Sequence, residues 1–335
     1  MPSDIQRRVI LDTDPGIDDA MTLLFLQSRP DIWVQAITTV FGNADVATTT
    51  RNALYLTDRF YMDVPVFKGA DMPLAIPRRP FASHVHGYDA LGDTRLSEGF
   101  TATPAAGVAH EQIVRMLRDN PGQISILAIG PLTNLALALR ADPGIADLAR
   151  EVVVMGGAFG HGTRRGNVSP VAEANIANDP HAADIVLGAS WPVTMVGLDV
   201  TSACILPTSR AKRIADSGEE GKFLWDISRS YEKLYRDHDG VDGCCIHDVA
   251  AAAYLVSPAL FEIATGPIRV VTEGIATGQT IQKPEMQAFP PGAWDDAPSQ
   301  TIAMGVDVPG FLALYEDAFL TAPSRGRAVA TPSLP

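Results

Sequence analysis

The sequence predicts an α/β fold, a single large domain on a mostly parallel central sheet flanked by helices, and three observations carry that reading. Short apolar runs recur at residues 8–14, 34–40, 124–129, 151–155, 193–198 and 268–271, with the length and β-branched content of strands buried on both faces. Helical apolar periods lie between several of them, at 108–117 and 132–139, the alternation that builds a helix-covered parallel sheet. No Ser/Gly-rich linker, charge block or internal repeat interrupts residues 7–322, so 335 residues with 46% hydrophobic content are expected to form one domain over 1–335 rather than two. Residues 323–335, rich in Ala, Pro, Ser and Arg, read as a loose tail.

The first strand is expected to end on Asp14, where Pro15-Gly16 turns the chain into an apolar helix over 20–26. Alternation sends Asp12 and Asp14 to one face and Thr13 to the other. Residues 223–242 read as an amphipathic helix followed by a glycine-containing loop. It places Tyr231 and Tyr235 one turn apart on the same face, a spacing that by itself means core packing more often than a binding site.

The chemistry concentrates at the first turn. Asp12, Asp14, Asp18 and Asp19 put four carboxylates within eight residues at the carboxyl end of a strand, the edge where open α/β sheets bind ligands. Like charges that close repel, and burial magnifies the repulsion, so a cation or a shared proton must compensate. Oxygen-only donors select a hard divalent ion, calcium or magnesium, over zinc. Asp18 and Asp19 could instead merely complement a helix dipole, which accounts for two of the four.

Composition narrows the partners. With 26 Lys+Arg against 39 Asp+Glu, a net charge of −13 and no basic run, the chain is not expected to wrap a nucleic-acid backbone. Arg78-Arg79 and Arg164-Arg165 read as solvated loop charges. No segment has the length of a membrane span or a signal-peptide core, and three cysteines, two of them adjacent, suit neither a disulfide framework nor a CxxC zinc site. A soluble cytoplasmic protein is the expectation.

From Asp12 to Ala20 the chain reads Asp-Thr-Asp-Pro-Gly-Ile-Asp-Asp-Ala, which resembles the DxDPGxDDA signature of the nucleoside hydrolases of the inosine-uridine type. Further blocks follow in that family's order: Thr39-Val40-Phe41-Gly42-Asn43, His86-Gly87-Tyr88-Asp89-Ala90-Leu91-Gly92, Gly130-Pro131-Leu132-Thr133-Asn134, Met155-Gly156-Gly157, Glu173-Ala174-Asn175 and His247-Asp248. The resemblance implies an open Rossmann-like fold, hydrolysis of the N-glycosidic bond of ribonucleosides, a homodimer or homotetramer, and a role in salvage of free bases. It implies a calcium ion held by Asp14, Asp19, the main-chain carbonyl of Thr133 and Asp248, binding a water and both ribose hydroxyls. Asp18 and Asn175 match positions that hydrogen-bond those hydroxyls, Asn167 and Glu173 those that grip the 5′-hydroxyl, and Asn43 and Met155 complete the ribose pocket. Tyr231 and Tyr235 match positions on a mobile helix that closes over the nucleobase.

The residues allow that chemistry on their own terms. N-glycoside cleavage needs charge stabilisation of an oxocarbenium-like sugar, an activated water and help for the departing base. Asp14 is assigned as general base as well as ligand; attack by free water, without a protein nucleophile, leads to inversion. His247 precedes Asp248 and must project near the sugar, where an imidazole titrating in the useful range could protonate the base. His86 is open between a base contact and loop structure, and His84, His110, His161, His181 and His238 read as surface or core residues.

Three departures stand out: Ala174 where several relatives carry an aromatic, a loop over 159–166 longer than the family minimum, and Ala90 for the commoner glycine, a minor change. The longer loop could admit a substrate modified at the 5′ position, though such a stretch is more often an ordinary surface insertion. A magnesium-dependent phosphatase also begins with a strand and an Asp-x-Asp pair, but wants Thr or Val where Gly16 stands. A calcium-dependent nucleoside-binding protein without catalysis, or a hydrolase of modified nucleosides, are the remaining alternatives.

Overall fold

The computed structural model describes residues 6–321 except Thr163 and Ala293, so the tail expected at 323–335 lies outside the described residues. The chain opens on β1 (Arg7–Thr13), whose alternation divides the core: Val9 and Leu11 enter one apolar layer and Ile10 the other. Full burial of each such side chain is worth roughly 1.5–3 kcal/mol, which is why a strand buried on both faces loses its polar alternation. There follow α1 (Ile17–Ser28), β2 (Ile32–Thr39), α2 (Val46–Arg59), β3 (Val66–Lys68), α3 (Ser83–His86), α4 (Ala109–Asp119), β4 (Ile124–Ala128), α5 (Thr133–Ala141) and β5 (Glu151–Met155). The second half runs α6 (Ala174–Asn178), α7 (Pro180–Leu187), β6 (Val193–Val196), α8 (Leu198–Thr201), β7 (Ile205–Leu206), α9 (Thr208–Ala215), α10 (Glu219–Asp239), β8 (Cys244–Cys245), α11 (His247–Val256), β9 (Phe261–Val270), β10 (Thr280–Gln282), β11 (Ser299–Val306) and α12 (Val308–Leu320).

Among the described residues nine strands form one sheet in the order β10-β9-β11-β6-β5-β4-β1-β2-β3, and β7 pairs with β8 apart from it. From β11 through β3 every neighbouring pair is parallel; only the β9–β11 and β9–β10 pairs run antiparallel. One face is covered by α1, α10, α11 and α12, the other by α4, α5 and α7. The strand order turns back between β1 and β4, and the crevice outside the carboxyl ends of those two strands is where such sheets receive ligands.

The sequence reading differs from this architecture at the antiparallel edge. The strand expected at 268–271 begins at Phe261, and β11 was not anticipated. Residues Glu262, Ile263, Thr265 and Ser299 are partly or fully exposed, so these edge strands bury one face and offer no continuous apolar run. No helix among the described residues is long and apolar enough to cross a membrane.

Candidate active site

β1 closes at Thr13, so Asp14 stands just beyond the strand rather than as its last residue. It is caught there by Asn43, whose main-chain N–H donates to Oδ2 at 2.7 Å and whose side-chain amide donates to the Asp14 carbonyl at 3.2 Å and to Asp19 Oδ2 at 3.0 Å. Glycine on both sides makes the room: a Cβ on Gly42 would lie 2.0 Å from Asp14 Oδ2, and one on Gly130 2.6 Å from Oδ1. Asp19, in the first turn of α1, accepts from the Gly16 N–H at 2.9 Å and from the Thr13 hydroxyl. Asp18, Asp19 and Asp248, the last on the first turn of α11, each bring a carboxylate oxygen within 4.8 Å of the others.

All of these groups are buried, and desolvation, joined by mutual repulsion for Asp14, Asp18 and Asp248, raises their carboxyl pKa values, to about 8 for Asp18. The buried Oδ1 of Asp14 has no hydrogen-bond partner among the described residues. A lone-pair-rich oxygen left unpaired beside three converging carboxylates is what a hard divalent cation satisfies, so the residues present fit one. Asp12 does not join them. Its carboxylate accepts from Thr38 Oγ1 and from Asn134 Nδ2 at 2.8 Å, tying β1 to β2 and α5, and burial lifts its pKa to about 7.

Of the expected sugar- and metal-side residues, Met155, Glu173, Asn175 and Thr133 lie at the carboxyl ends of β4 and β5, and Asn167 does not. Met155 is buried at the end of β5, and Asn175 donates from Nδ2 to the Ile129 carbonyl at 3.0 Å and the Met155 carbonyl at 3.2 Å, bridging β4 and β5. Glu173, the N-cap of α6, accepts from the N–H groups of Gly157, Asn175 and Ile176 at 2.8–3.1 Å. Thr133, the first residue of α5, donates its hydroxyl to Asp179 at 2.8 Å. Asn167 is exposed, its N–H donating to the Ala172 carbonyl at 3.1 Å.

Beside the carboxylates stands a group of rings: His86 Nδ1 accepts from the Ile17 N–H at 3.3 Å and lies 4.0 Å from Asp18 Oδ1. His86 stacks on Tyr231 with centroids 5.5 Å apart, Tyr231 meets Tyr235 edge-on, and the two tyrosine hydroxyls lie 3.3 Å apart. Tyr235 Oη is 2.8 Å from His247 Nε2, and His247 Nδ1 is 2.8 Å from Thr201 Oγ1. The two tyrosines are therefore both packed and placed on the crevice. Burial pushes the His247 pKa down to about 4, with help from Arg164, and that of His86 to about 3. Burial thus disfavours the charged His247 ring, whose two nitrogens are wired between the hydroxyls of Tyr235 and Thr201.

Other expectations also change. Arg164 is no solvated loop charge, since its guanidinium pairs with Asp239 at 2.6 Å, while Arg78 lies over the Phe81 ring. The 159–166 loop is strapped down, with the N–H groups of Phe159 and His161 donating to the Asp199 carboxylate at 2.8 and 2.7 Å. Ala90 is buried with φ +61°, left-handed backbone that disfavours a Cβ by roughly 1–2 kcal/mol, a cost invisible in the sequence. Thr201, Asn52 and Asp199 were missed. Position at the carboxyl edge after β6 was the signal that could have found Thr201 and Asp199.

Comparison with known proteins agrees with this geometry. The sequence profile described as inosine-uridine preferring nucleoside hydrolase matches residues 9–313. The chain is 38% identical to a probable uridine nucleosidase 1 of Oryza sativa subsp. japonica, over 93% of this chain and 96% of that one. It is 37% identical to the inosine-uridine preferring nucleoside hydrolase of Leishmania major, over 82% and 87%. Among solved structures, a plant nucleoside hydrolase superposes with a TM-score of 0.89 at 35% identity, covering 95% of this chain and 99% of that one. The chain therefore belongs to the inosine-uridine preferring nucleoside hydrolase family and is an enzyme that hydrolyses ribonucleosides.

Proposed function

We propose that the chain cleaves the N-glycosidic bond of purine and pyrimidine ribonucleosides, inosine and uridine among them, to ribose and free base with a calcium ion in the crevice. The observation that carries this is the convergence of buried Asp18, Asp19 and Asp248, with Asp14 close enough to repel them, beside the linked rings of His86, Tyr231, Tyr235 and His247. Asp14, Asp19, the Thr133 carbonyl and Asp248 would hold the ion. When bound, calcium offsets the carboxylate charge, makes a coordinated water more acidic and holds a vicinal diol by two oxygens.

The protein's own groups do the rest. Asp14 keeps Oδ2 fixed by Asn43 and Oδ1 free, so Oδ1 takes the proton of the attacking water. Asp18 and Asn175 receive the ribose hydroxyls, Glu173 and Asn167 the 5′-hydroxyl, and Asn43 and Met155 close the sugar pocket. His86 and Tyr231 face the base, and His247, aligned by Thr201, donates with Tyr235 toward the departing ring nitrogen. The relatives named for uridine and for inosine-uridine support a broad substrate range, and the resemblance supports a cytoplasmic homodimer or homotetramer acting in base salvage.

The test is release of reducing ribose from inosine, uridine, cytidine and adenosine, each with calcium and after chelation. Calcium-dependent release, with 2′-deoxyuridine at least about tenfold poorer than uridine because it strands a buried hydroxyl partner, is expected. Equal rates on uridine and 2′-deoxyuridine would refute the diol contacts, and chelator-resistant turnover would refute the cation.

A further inference from the structure

The last turn of α10 has few internal reasons to stay where it is. Residues 236–240 are exposed, and the ion pairs Lys233–Asp237 and Arg236–Glu232 are internal to the helix. Yet Tyr235, at the start of that turn, must hold its hydroxyl 2.8 Å from His247. Arg164 supplies an outside anchor: its Nη2 lies 2.6 Å from Oδ2 of Asp239, the final residue of α10 before left-handed Gly240 ends the helix. Arg164 is itself fixed at the root of its loop. Phe159, His161 and Gly162 donate their N–H groups to Asp199, and Gly162 is so close that a Cβ there would lie 2.5 Å from the Asp199 carbonyl. Asp199 belongs to α8, the same short helix whose Thr201 holds the other nitrogen of His247. The end of α10 is thus tied to α8 inside, through Tyr235–His247–Thr201, and outside to Arg164, which follows closely in sequence on the 159–162 segment held by Asp199.

We propose that the Arg164–Asp239 pair is a positioning device for the leaving-group side of the reaction: it seats the last turn of α10 so that Tyr235 stays on His247 and the nucleobase meets an aligned donor. Arg164 then links its loop to the base side of the crevice, which an ordinary surface insertion would not do. This rests on the reading of α10 and His247 as the nucleobase side. It separates two kinds of ribonucleoside analogue. A natural base leaves with proton help, whereas the phenolate of 4-nitrophenyl β-D-riboside is stable enough to leave without it.

The experiment compares the full-length enzyme with R164Q, D239N, R164Q/D239N and the charge swap R164D/D239R, on uridine, inosine and 4-nitrophenyl riboside, together with Tm. A partly exposed ion pair is worth up to about 1 kcal/mol, or about fivefold. Each single variant is therefore expected to lower kcat/KM on both nucleosides by about two- to fivefold, the double variant no further, and the swap to recover most of the loss. The aryl riboside rate and Tm should stay within about a factor of 1.5 and about 2 °C of wild type, in keeping with the small energies of surface pairs. Unchanged nucleoside turnover in both single variants, multiplicative losses in the double, or equal losses on nucleosides and aryl riboside each overturn the proposal. Should the swap misfold, the cycle of the other three decides. Wild type inactive on nucleosides but active on the aryl riboside would defeat the nucleobase-side reading itself.

Discussion

Asp14 has one carboxylate oxygen held by the Asn43 N–H and the other buried without a partner among the described residues, and it repels the neighbouring Asp18, Asp19 and Asp248. Asp12, two residues earlier, also has a buried oxygen without a partner among them, but its other oxygen takes two side-chain donors that tie three elements together, and it stands apart from the Asp18, Asp19 and Asp248 group. Asp14→Asn preserves size and the Asn43 contact but removes the proton acceptor, so kcat on uridine should fall by about 10²–10⁴-fold, the usual worth of a general base. His247→Ala removes the donor beside the carboxylates while leaving their oxygens in place. Turnover of inosine should fall by about 10²-fold or more, with calcium affinity, read by titration calorimetry, unchanged. Full inosine turnover in that variant would take His247 out of the reaction, and lost calcium binding would reassign it to holding Asp248.

At the scale of elements, the crevice is held open by side chains that bridge segments far apart in sequence. Asn52 on α2 donates to the carbonyls of Pro15 and Asp89 at 3.1 and 2.9 Å and accepts from Ser97, joining the first turn to the block that carries His86. Asn52→Ala leaves these groups without their partner, at about 1–3 kcal/mol for each one that stays buried. A loss of roughly 2–4 kcal/mol is expected by denaturant titration, accompanied by a higher KM as the block carrying His86 loosens. A loss under about 0.5 kcal/mol would mean that water replaces the amide without cost. This clamp also marks the limit of what the sequence discloses. The parallel strands were legible because burial on both faces writes them as apolar runs, and the carboxylate cluster because four like charges cannot crowd without compensation. Asn52, Thr201 and the Arg164–Asp239 pair were not legible, since each acts across 37–75 residues of chain and leaves no local period. The antiparallel edge escaped for the opposite reason, its exposed face diluting the apolar pattern that the central strands keep.

Over the whole molecule, burying so many carboxylates at one strand edge makes stability depend on pH in a direction opposite to that of an ordinary ion-paired acid. Asp12 and Asp18 are raised to about 7 and about 8, and Asp14, Asp19, Glu173 and Asp248 are raised as well, chiefly by desolvation. A carboxyl whose folded pKa is raised binds more protons folded than unfolded, so its contribution is complete below the unfolded value near 4 and is lost as pH climbs through the folded one. His86 and His247 act in the other sense: with folded values of about 3 and about 4, they cost stability only as pH falls below the unfolded value near 6.5. Between pH 6.5 and 8.5 the raised carboxyls dominate, the buried thiols of Cys204, Cys244 and Cys245 adding a loss of the same sign near the upper end, and the metal-free protein should lose Tm by roughly 5 °C or more across that window. A divalent cation on the cluster replaces the protons as counter-charge and ties the carboxylates in their ionised form, so with saturating calcium the same window should be nearly flat and the melting point higher throughout. Thermal melts at pH 6.5, 7.5 and 8.5 in chelator and in calcium distinguish the two curves. Parallel curves would mean that the cation binds away from these carboxylates, and a flat curve in chelator that their charges are already compensated within the fold.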